Sequence, residues 1–331
     1  MISRIGTMTI LAIFAATLLS ARQAESTVYA SVISTKLFVV GAANPRTGLF
    51  YQRTSEDTVW HHTGSKNIRA NGVAVFQGSK GGLLYVASGN GLHKTSDGGA
   101  FWRITTGWEI TEVWNVWVDP KNASNVYIGT AYGVYKSTDG CDTWKQVLRG
   151  FVSSIIVDHS NSSVLYCTTE DGVFKSTDQG ETWKRTGLSI NRIRTISQHP
   201  TDPMILFVGT EYHGMYRTSN GGRTWTRVEA GIDHPTFYTI AFDPVEPKNM
   251  YAAGFATGVY RSIDGGYSWN RSNKGLDIEN IRAVAVDPSN NKRVFAGTYG
   301  NGVYRSEDGG QTWRWVGLRG AQIGKIVIEP S

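Results

Sequence analysis

The stretch Ile281–Trp313, IRAVAVDPSNNKRVFAGTYGNGVYRSEDGGQTW, is the clearest copy of a pattern that recurs along the chain. It reads as an apolar strand, Asp-Pro, a strand ending in Gly-Thr, a third strand, and a Gly-rich turn closed by Trp. The Trp recurs at intervals of 39–44 residues, at Trp60, Trp102, Trp144, Trp183, Trp225, Trp269 and Trp313. A fixed period of this length is typical of repeat architectures. Seven copies therefore predict seven similar structural units.

Each copy contains four short segments with the alternation of a β-strand. In the clearest copy they cover residues 281–286, 293–297, 302–306 and 312–316. Four-stranded units repeated around an axis form a propeller, in which each blade packs both faces against its neighbours. We therefore predict an all-β fold, a seven-bladed β-propeller of four-stranded blades.

The two ends of the chain complement each other. Leu37–Gly41 matches a second strand with no clear first strand before it, whereas Ile323–Pro330 matches a first strand with nothing after it. We predict that the C-terminal strand completes the N-terminal blade and closes the ring by main-chain hydrogen bonds.

The first 30 residues have the features of a secretory signal. A positive start is followed by an apolar run, Ile10–Leu19, that is too short to span a bilayer comfortably, and cleavage after Ala21, Ala24 or Ala30 is possible. The predicted domains are a signal peptide at 1–30 and one propeller at 31–331. No later segment is apolar for long enough to cross a membrane, so we expect an exported, extracytoplasmic, monomeric protein. Cys141 and Cys167 are the only cysteines, and the sequence leaves their pairing open.

The turn before each Trp follows the pattern Ser-x-Asp-x-Gly-x-Thr-Trp, complete at Ser176–Trp183 and Ser306–Trp313 and nearly complete in four other copies. This pattern resembles the Asp-box, or BNR repeat, of sialidases, sortilins, xyloglucanase-type glycoside hydrolases and photosystem II assembly factors. The acidic or amide residues at its third position are Asp97, Asp139, Asp178, Asn220, Asp264 and Asp308. An Asp in such a turn accepts hydrogen bonds from the turn's own N–H groups, so we predict a structural role for all six.

Function is expected where the repeat varies. Strands of a blade alternate in direction, so the Asp-Pro turns and Asp-boxes share one face, and the second-to-third turns and the links between blades share the other. Loops carry most binding residues, and aromatic and cationic side chains suit a sugar or a peptide. The candidate ligand-binding residues on this variable face are Trp108, Trp114, Tyr132, Arg194, Tyr212, His213, Tyr238, Phe255, Arg282 and Tyr299.

Two functions follow from these features. The first is a non-enzymatic binding or assembly scaffold that recognises a polysaccharide or a protein. The alternative is a glycoside hydrolase of the xyloglucanase type, which would need a carboxylate pair about 6.5–9.5 Å apart if it inverts configuration. Glu109, Glu112, Asp233 and Glu279 are the acids available for such a pair on the variable face, and no catalytic residue is identified. The Arg-Ile-Pro segment of sialidases does not occur.

The composition limits other functions. The net charge is +6, but Lys and Arg are spread singly through the repeats, which argues against nucleic acid as a partner. The seven His residues lack metal-ligand spacing and no phosphate-binding Gly loop precedes a helix, so we expect neither a metal nor a cofactor. Sequons at Asn122, Asn161 and Asn270 would carry glycans only in a glycosylating secretory pathway.

Overall fold

A computed structural model describes residues 25–36, 46–54, 56–76, 79 and 82–330. Within these residues the chain is all-β, with 28 strands in seven four-stranded antiparallel sheets. The sheets form a closed ring of seven blades, which confirms the predicted seven-bladed β-propeller. No helix in this part of the chain is long and apolar enough to cross a membrane.

Six blades are continuous in sequence, and each runs outward from the axis as four consecutive strands. Their bounds are as follows: blade 2, β4 (Ala70–Val75), β5 (Leu84–Ser88), β6 (Gly91–Thr95), β7 (Arg103–Ile104); blade 3, β8 (Val113–Asp119), β9 (Asn122–Thr130), β10 (Gly133–Ser137), β11 (Lys145–Arg149); blade 4, β12 (Val152–Val157), β13 (Leu165–Thr169), β14 (Gly172–Ser176), β15 (Lys184–Arg185); blade 5, β16 (Ile193–Gln198), β17 (Leu206–Thr210), β18 (Met215–Thr218), β19 (Thr226–Val228); blade 6, β20 (Thr239–Phe242), β21 (Met250–Ala253), β22 (Val259–Ser262), β23 (Asn270–Arg271); blade 7, β24 (Ile281–Asp287), β25 (Asn290–Thr298), β26 (Val303–Ser306), β27 (Arg314–Gly317).

Blade 1 joins the two ends of the chain. Its three outer strands are β1 (Thr27–Thr35), β2 (Gly48–Arg53) and β3 (His61–His62), and its innermost strand is β28 (Ala321–Glu329). The register of β1 and β28 runs from Thr27 opposite Glu329 to Thr35 opposite Ala321. The predicted closure of the ring by the C-terminal strand is confirmed.

The second strand of blade 1 differs from the expectation. It is β1, at Thr27–Thr35, and not Leu37–Gly41, a segment that lies outside the described residues. Both segments are rich in β-branched and aromatic residues, and pairing with β28 rather than local sequence decides which one completes the blade. The propeller thus begins four residues before the predicted boundary at residue 31, and Ala30 is buried inside β1. Cleavage after Ala30 would divide this strand. The expected signal region up to residue 24 lies outside the described residues.

Apolar side chains of neighbouring blades form the core. Seven clusters of buried residues lie around the ring, and one of them contains the buried Ile323 and Ile326 of β28 together with Val28 of β1 and Phe295 of blade 7. Both cysteines are buried and unpaired. Burial raises the pKa of the Cys141 thiol to about 12 and raises that of Cys167 further.

The Asp-box turns are held by their own side chains. In blade 4 the Asp178 carboxylate accepts hydrogen bonds from the Ser176 hydroxyl (2.7 Å), the Thr182 N–H (2.8 Å) and the Thr182 hydroxyl (2.5 Å). The hydrogen bond from the Thr182 hydroxyl is the largest cause that lowers the pKa of Asp178 to about 2. In blade 5 the Asn220 Oδ1 accepts a hydrogen bond from the Thr224 N–H, and the Asn220 amide donates to the Thr224 hydroxyl. Both oxygens of the Asp178 carboxylate are therefore engaged by the turn itself.

The third strand of blades 2 to 7 carries a cation at one position, where blade 1 has Tyr51, and several of these cations contact the next blade. Lys136 forms a 2.7 Å ion pair with Glu181, and Arg305 donates to the carbonyl of Glu56 at 3.0 Å across the junction of blades 7 and 1. The same position holds Lys94, whose ammonium group donates to the Gly140 carbonyl at 2.7 Å. The regular Lys and Arg of the repeats are therefore partly inter-blade contacts, and the side chains of Lys136 and Arg305 are buried.

Candidate functional site

The two faces of the ring are built from different turns. On one face each Asp-box turn hydrogen-bonds to the turn between the first and second strands of the same blade, as when the Gly309 N–H donates to the Lys292 carbonyl at 2.8 Å. On the other face the second-to-third turns bond to the links between blades, as when the Tyr299 N–H donates to the Asn280 carbonyl at 2.8 Å. The second face is the variable face, and it carries the candidate ligand-binding residues.

A recurring β-bulge places one side chain of each innermost strand at the rim of the central channel. The register between the first and second strands skips one residue in five of the blades, at Asn71, Trp114, Ser153, Arg194 and Arg282. Tyr238 holds the same position in blade 6, directly before β20, and Gly324 holds it in blade 1. A bulge bends the strand and redirects the side chain that it leaves unpaired. The sequence at this one position therefore decides what each blade presents at the rim.

Short bulge residues join neighbouring blades. The Asn71 amide donates to the Val113 carbonyl at 2.9 Å and the Ser153 hydroxyl donates to the Ile193 carbonyl at 2.6 Å, each in the next blade. Blade 3 carries Trp114, which packs against Phe151 of the next link, and blades 5, 6 and 7 carry Arg194, Tyr238 and Arg282, which are long enough to reach the loops above.

The loops above those three blades are also longer. The second-to-third turns of blades 2, 3 and 4 have two residues each between their strands, whereas those of blades 5, 6 and 7 span 211–214, 254–258 and 299–302. Glu211, Phe255 and Tyr299 hold equivalent positions in these longer turns, the first position in blades 5 and 7 and the second in blade 6. Glu211 and Tyr299 form equivalent isolated bridges with the next blade, to Thr236 and Gln322.

The long rim residues and the long loops form one cluster, which we call the rim cluster: Arg194, Glu211, Tyr212, Tyr238, Arg282 and Tyr299. The Arg194 guanidinium is paired with the Glu211 carboxylate, with its Nε 2.9 Å from Oε2. Arg282 lies 5.8 Å from the ring centre of Tyr238 and 5.9 Å from that of Tyr299. Arg192 lies 5.4 Å from the ring centre of Tyr212 and extends the cluster outward.

Charge in the rim cluster is unevenly compensated. Glu211 neutralises Arg194, but no carboxylate of the described residues lies within ion-pair distance of Arg282, whose Nε is buried without a hydrogen-bond partner. Burial lowers the pKa of Arg282 and raises that of Tyr238. Lys325 lies one residue beyond the bulge of β28, and its pKa is lowered because the surrounding protein removes water from its ammonium group. An arginine remains protonated in proteins, so this rim carries positive charge beside exposed aromatic rings.

A polar cavity of about 400 Å³ adjoins the rim cluster between blades 4 and 5. Its walls include Glu170 and Asp171 on one side and Arg192 and Arg194 on the other, with Phe151 at one end. Charged groups of both signs thus face a concave surface next to the aromatic rings.

The structure divides the predicted ligand-binding residues into two groups. Arg194, Tyr212, Tyr238, Arg282 and Tyr299 belong to the rim cluster. His213 and Phe255 lie on the same long loops, and the His213 Nε2 is 3.2 Å from the Asn191 Oδ1.

The other three predicted residues lie on blade 3 or on the link between blades 2 and 3. Trp108 is 86% exposed, Tyr132 is exposed, and Trp114 packs against Phe151 with ring centres 6.2 Å apart. Glu211 is the member that the sequence reasoning missed. The sequence signal for Glu211 was the extra length of the second-to-third loop of blade 5, which places Glu211 at the position of Phe255 and Tyr299.

The four candidate acids of the variable face do not form an isolated pair. Asp233 accepts a hydrogen bond from the Tyr260 hydroxyl, the largest cause that lowers its pKa, and pairs with Arg271 at 3.2 Å. Glu279 lies 3.8 Å from the same guanidinium. Glu109 and Glu112 lie in the link between blades 2 and 3. A general acid needs a raised pKa, so the environment of Asp233 opposes that role. No group of three His, Cys, Asp or Glu side chains in the described part of the chain could hold a metal ion.

Comparison with known proteins identifies relatives of this fold. A family model named Sortilin-Vps10 (Sortilin, neurotensin receptor 3) matches residues 132–255. No curated protein sequence matches the chain. Similarity to known proteins is therefore clearer in the three-dimensional structure than in the sequence.

Three solved structures illustrate the similarity. The GH74 enzyme of Niastella koreensis is 20% identical with a TM-score of 0.63, covering 77% of this chain and 45% of that one. YCF48 bound to D1 peptide is 17% identical with a TM-score of 0.60, covering 75% and 82%. An extracellular domain of a hybrid two-component system from B. thetaiotaomicron is 17% identical with a TM-score of 0.58, covering 74% and 33%. The chain spans less than half of the GH74 enzyme, and these likenesses show the fold alone.

Proposed function

We propose that this protein is an exported, non-enzymatic binding module or assembly scaffold, and that the rim cluster recognises a polypeptide or polysaccharide partner. The observation that carries the proposal is the concentration of long rim residues and long loops on blades 5–7, whereas blades 2–4 have two-residue loops. In blade 1 the corresponding loop, residues 36–47, lies mostly outside the described residues. Binding is therefore expected at one sector of the variable face.

The chemistry of the cluster suits a polymer with both apolar faces and polar groups. Exposed Tyr212 and Tyr299 offer flat rings, Arg282 offers an unpaired cation held between two rings, and the adjoining cavity offers acids and arginines. Tyr and Arg are the residues that most often dominate binding interfaces. The relatives are consistent with either partner, because one is a GH74 enzyme and another is YCF48 bound to a peptide.

Export is part of the proposal and has a structural requirement. Because β1 begins at Thr27, a mature chain must retain residues from Thr27 onward. Cleavage after Ala21 or Ala24 satisfies this requirement. N-terminal sequencing of the exported protein checks it, and a mature start at Ser31 would contradict it.

The test is a glycan and peptide array probed with the mature protein, repeated with Tyr212→Ala and Tyr299→Ala. Both rings are exposed, so their removal should leave the melting temperature unchanged. We expect binding of the selected array ligand to weaken about tenfold for each, since truncating an aromatic interface residue often costs 1 kcal/mol or more. Trp108→Ala is the matched control, because it removes an exposed aromatic ring from the same face between blades 2 and 3.

Two results would overturn the proposal. Equal loss of binding in Trp108→Ala would show that blades 5–7 are not the specific sector. Release of reducing sugar from a polysaccharide, abolished by Asp233→Asn or Glu279→Gln, would show that the protein is a glycoside hydrolase.

A further inference from the structure

A second cavity of about 310 Å³ lies at the outer edge of the Asp-box face, between blades 5 and 6. Its walls include the side chains of Arg217, Thr218, Thr226, Arg227, Glu229 and Tyr267. It lies on the face opposite the rim cluster and is independent of the function proposed above.

Comparison with other blade junctions explains why this cavity is open. At the junction of blades 3 and 4, the Glu181 carboxylate pairs with both Lys136 and Lys145 at 2.7 Å and fills the equivalent space. At the junction of blades 7 and 1, Asp57 pairs in the same way with Arg305 at 3.0 Å and Arg314 at 2.8 Å. An acid of one blade therefore lies between two cations of the blade before it.

The junction of blades 5 and 6 lacks two of those three charged groups. Tyr267 replaces the acid of the Asp-box turn, and Thr226 replaces the second cation, the residue after the box Trp. Arg217 alone remains, at the position of Lys136 and Arg305. A short side chain at 226 and a ring at 267 leave open the volume that the ion pairs occupy between blades 3 and 4 and between blades 7 and 1. The junction of blades 6 and 7 also lacks the acid and the second cation, but Gln311 and Asn270 stand there.

Arg217 packs beside two aromatic rings and lacks a carboxylate partner among the described residues. Its guanidinium lies 4.5 Å from the ring centre of Tyr267 and 5.8 Å from that of Phe207. No carboxylate of the described residues lies within 4 Å of its nitrogens, and its Nε is buried without a hydrogen-bond partner. Glu229, the acid in the cavity wall, lies 4.0 Å from Arg227. A carboxylate from a ligand would supply the missing partner of Arg217.

The rest of the wall specifies the ligand further. Tyr267 is 65% exposed and offers a flat apolar surface beside the cavity, on which the C–H face of a pyranose can stack. Ser219, Thr224 and Thr226 also line this space, and their hydroxyl groups can exchange hydrogen bonds with sugar hydroxyls.

We propose that this cavity is a binding site for an acidic sugar residue, a hexuronic acid unit of a polysaccharide, with its carboxylate on Arg217 and its ring on Tyr267. The site is formed between two blades by the loss of an ion-pair network. It gives the Asp-box face a binding role of its own.

Isothermal titration calorimetry with tetragalacturonate tests the proposal, and fully methyl-esterified tetragalacturonate is the uncharged control ligand. We expect the acid to bind at least about tenfold more tightly than the ester, since a charge-assisted bond to arginine contributes more than a neutral one. Absence of binding by the acid, or equal binding of acid and ester, would overturn the assignment.

Variants locate the site. Thr226→Lys with Tyr267→Glu rebuilds at this junction the charges found between blades 3 and 4, so it should fill the cavity, abolish tetragalacturonate binding and keep the fold. Tyr267→Ala should weaken binding while sparing the melting temperature, because the ring is exposed. Val245→Ala, an exposed residue of the same face outside the cavity wall, is the control and should bind as wild type. Undiminished binding by the rebuilt double variant would refute the proposal.

Discussion

Ile323→Ala tests the closure of the ring by the C-terminal strand. Ile323 is fully buried in β28, in the cluster that also contains Val28 of β1 and Phe295 of blade 7. It packs on the bare backbone of blade 7, because a Cβ atom added to Gly297 would lie 2.5 Å from its Cγ2. The substitution therefore creates a cavity where the first and last blades meet.

The expected loss follows from the atoms removed. Three buried carbons disappear, and Ile→Ala substitutions in cores cost about 2–5 kcal/mol in unfolding free energy, so we expect about 3 kcal/mol. With an unfolding entropy of about 2 cal/mol/K per residue over roughly 300 residues, the melting temperature should fall by about 5 °C. The transition should stay single, because blade 1 contains strands from both ends of the chain and cannot open alone without breaking the ring.

Differential scanning calorimetry measures this change, with Ile263→Ala as the control. Ile263 is 63% exposed in the Asp-box turn of blade 6, so the same substitution there should change stability by less than about 0.5 kcal/mol. Equal shifts for the two variants, or a separate low-temperature transition in Ile323→Ala, would refute the closure argument.

Three further predictions concern a box carboxylate, an inter-blade arginine and the two cysteines. The pKa of Asp308 is lowered to about 2, so the folded protein favours the ionised carboxylate. The contribution of Asp308 to stability should be complete above the unfolded pKa near 4 and should disappear as the pH falls toward 2. Asp308→Asn should therefore flatten this part of an acid denaturation curve. Arg305 is only 4% exposed and bonds the carbonyls of Thr54 and Glu56, so Arg305→Met should cost about 2–3 kcal/mol in urea unfolding, and a cost near zero would contradict an inter-blade role. Cys141 and Cys167 should resist a maleimide in the native state and both react in denaturant, whereas unreactive denatured protein would indicate a disulfide.

The fold was predictable because each repeat carries its own local signals. The box turn needs an Asp or Asn at a fixed place before the Trp, and in blades 2 to 7 this side chain accepts a hydrogen bond from the hydroxyl two residues before it and from the N–H four residues after it. The second strand of blade 1 was not predictable in this way, because Thr27–Thr35 is selected by its pairing with β28, almost 300 residues away in sequence.

The candidate site was predictable in its members but not in their grouping. Arg194, Tyr238 and Arg282 share one position in the repeat, and that position is enough to place them at the rim. The pairing of Arg194 with Glu211 depends on the length of a loop, and the sequence did not show which exposed aromatic rings would be neighbours. The role of Lys136 and Arg305 was not predictable from their position in the repeat. Regularly spaced cations are also typical of a solvated surface, and only the three-dimensional structure shows that these two contact the next blade.

The central claim is that residues shared by all blades maintain the ring, whereas the exceptions on blades 5–7 bind the partner. The most direct test compares Tyr299→Ala with Asp308→Ala, two changes within blade 7, by array signal and by melting temperature. Both are made in the Thr226→Lys/Tyr267→Glu background, so that the cavity on the Asp-box face does not contribute to binding. We predict that Tyr299→Ala loses the array signal and keeps its melting temperature, and that Asp308→Ala keeps the signal and melts earlier. The opposite pattern, with binding lost on changing Asp308 and retained on changing Tyr299, would contradict this division of roles.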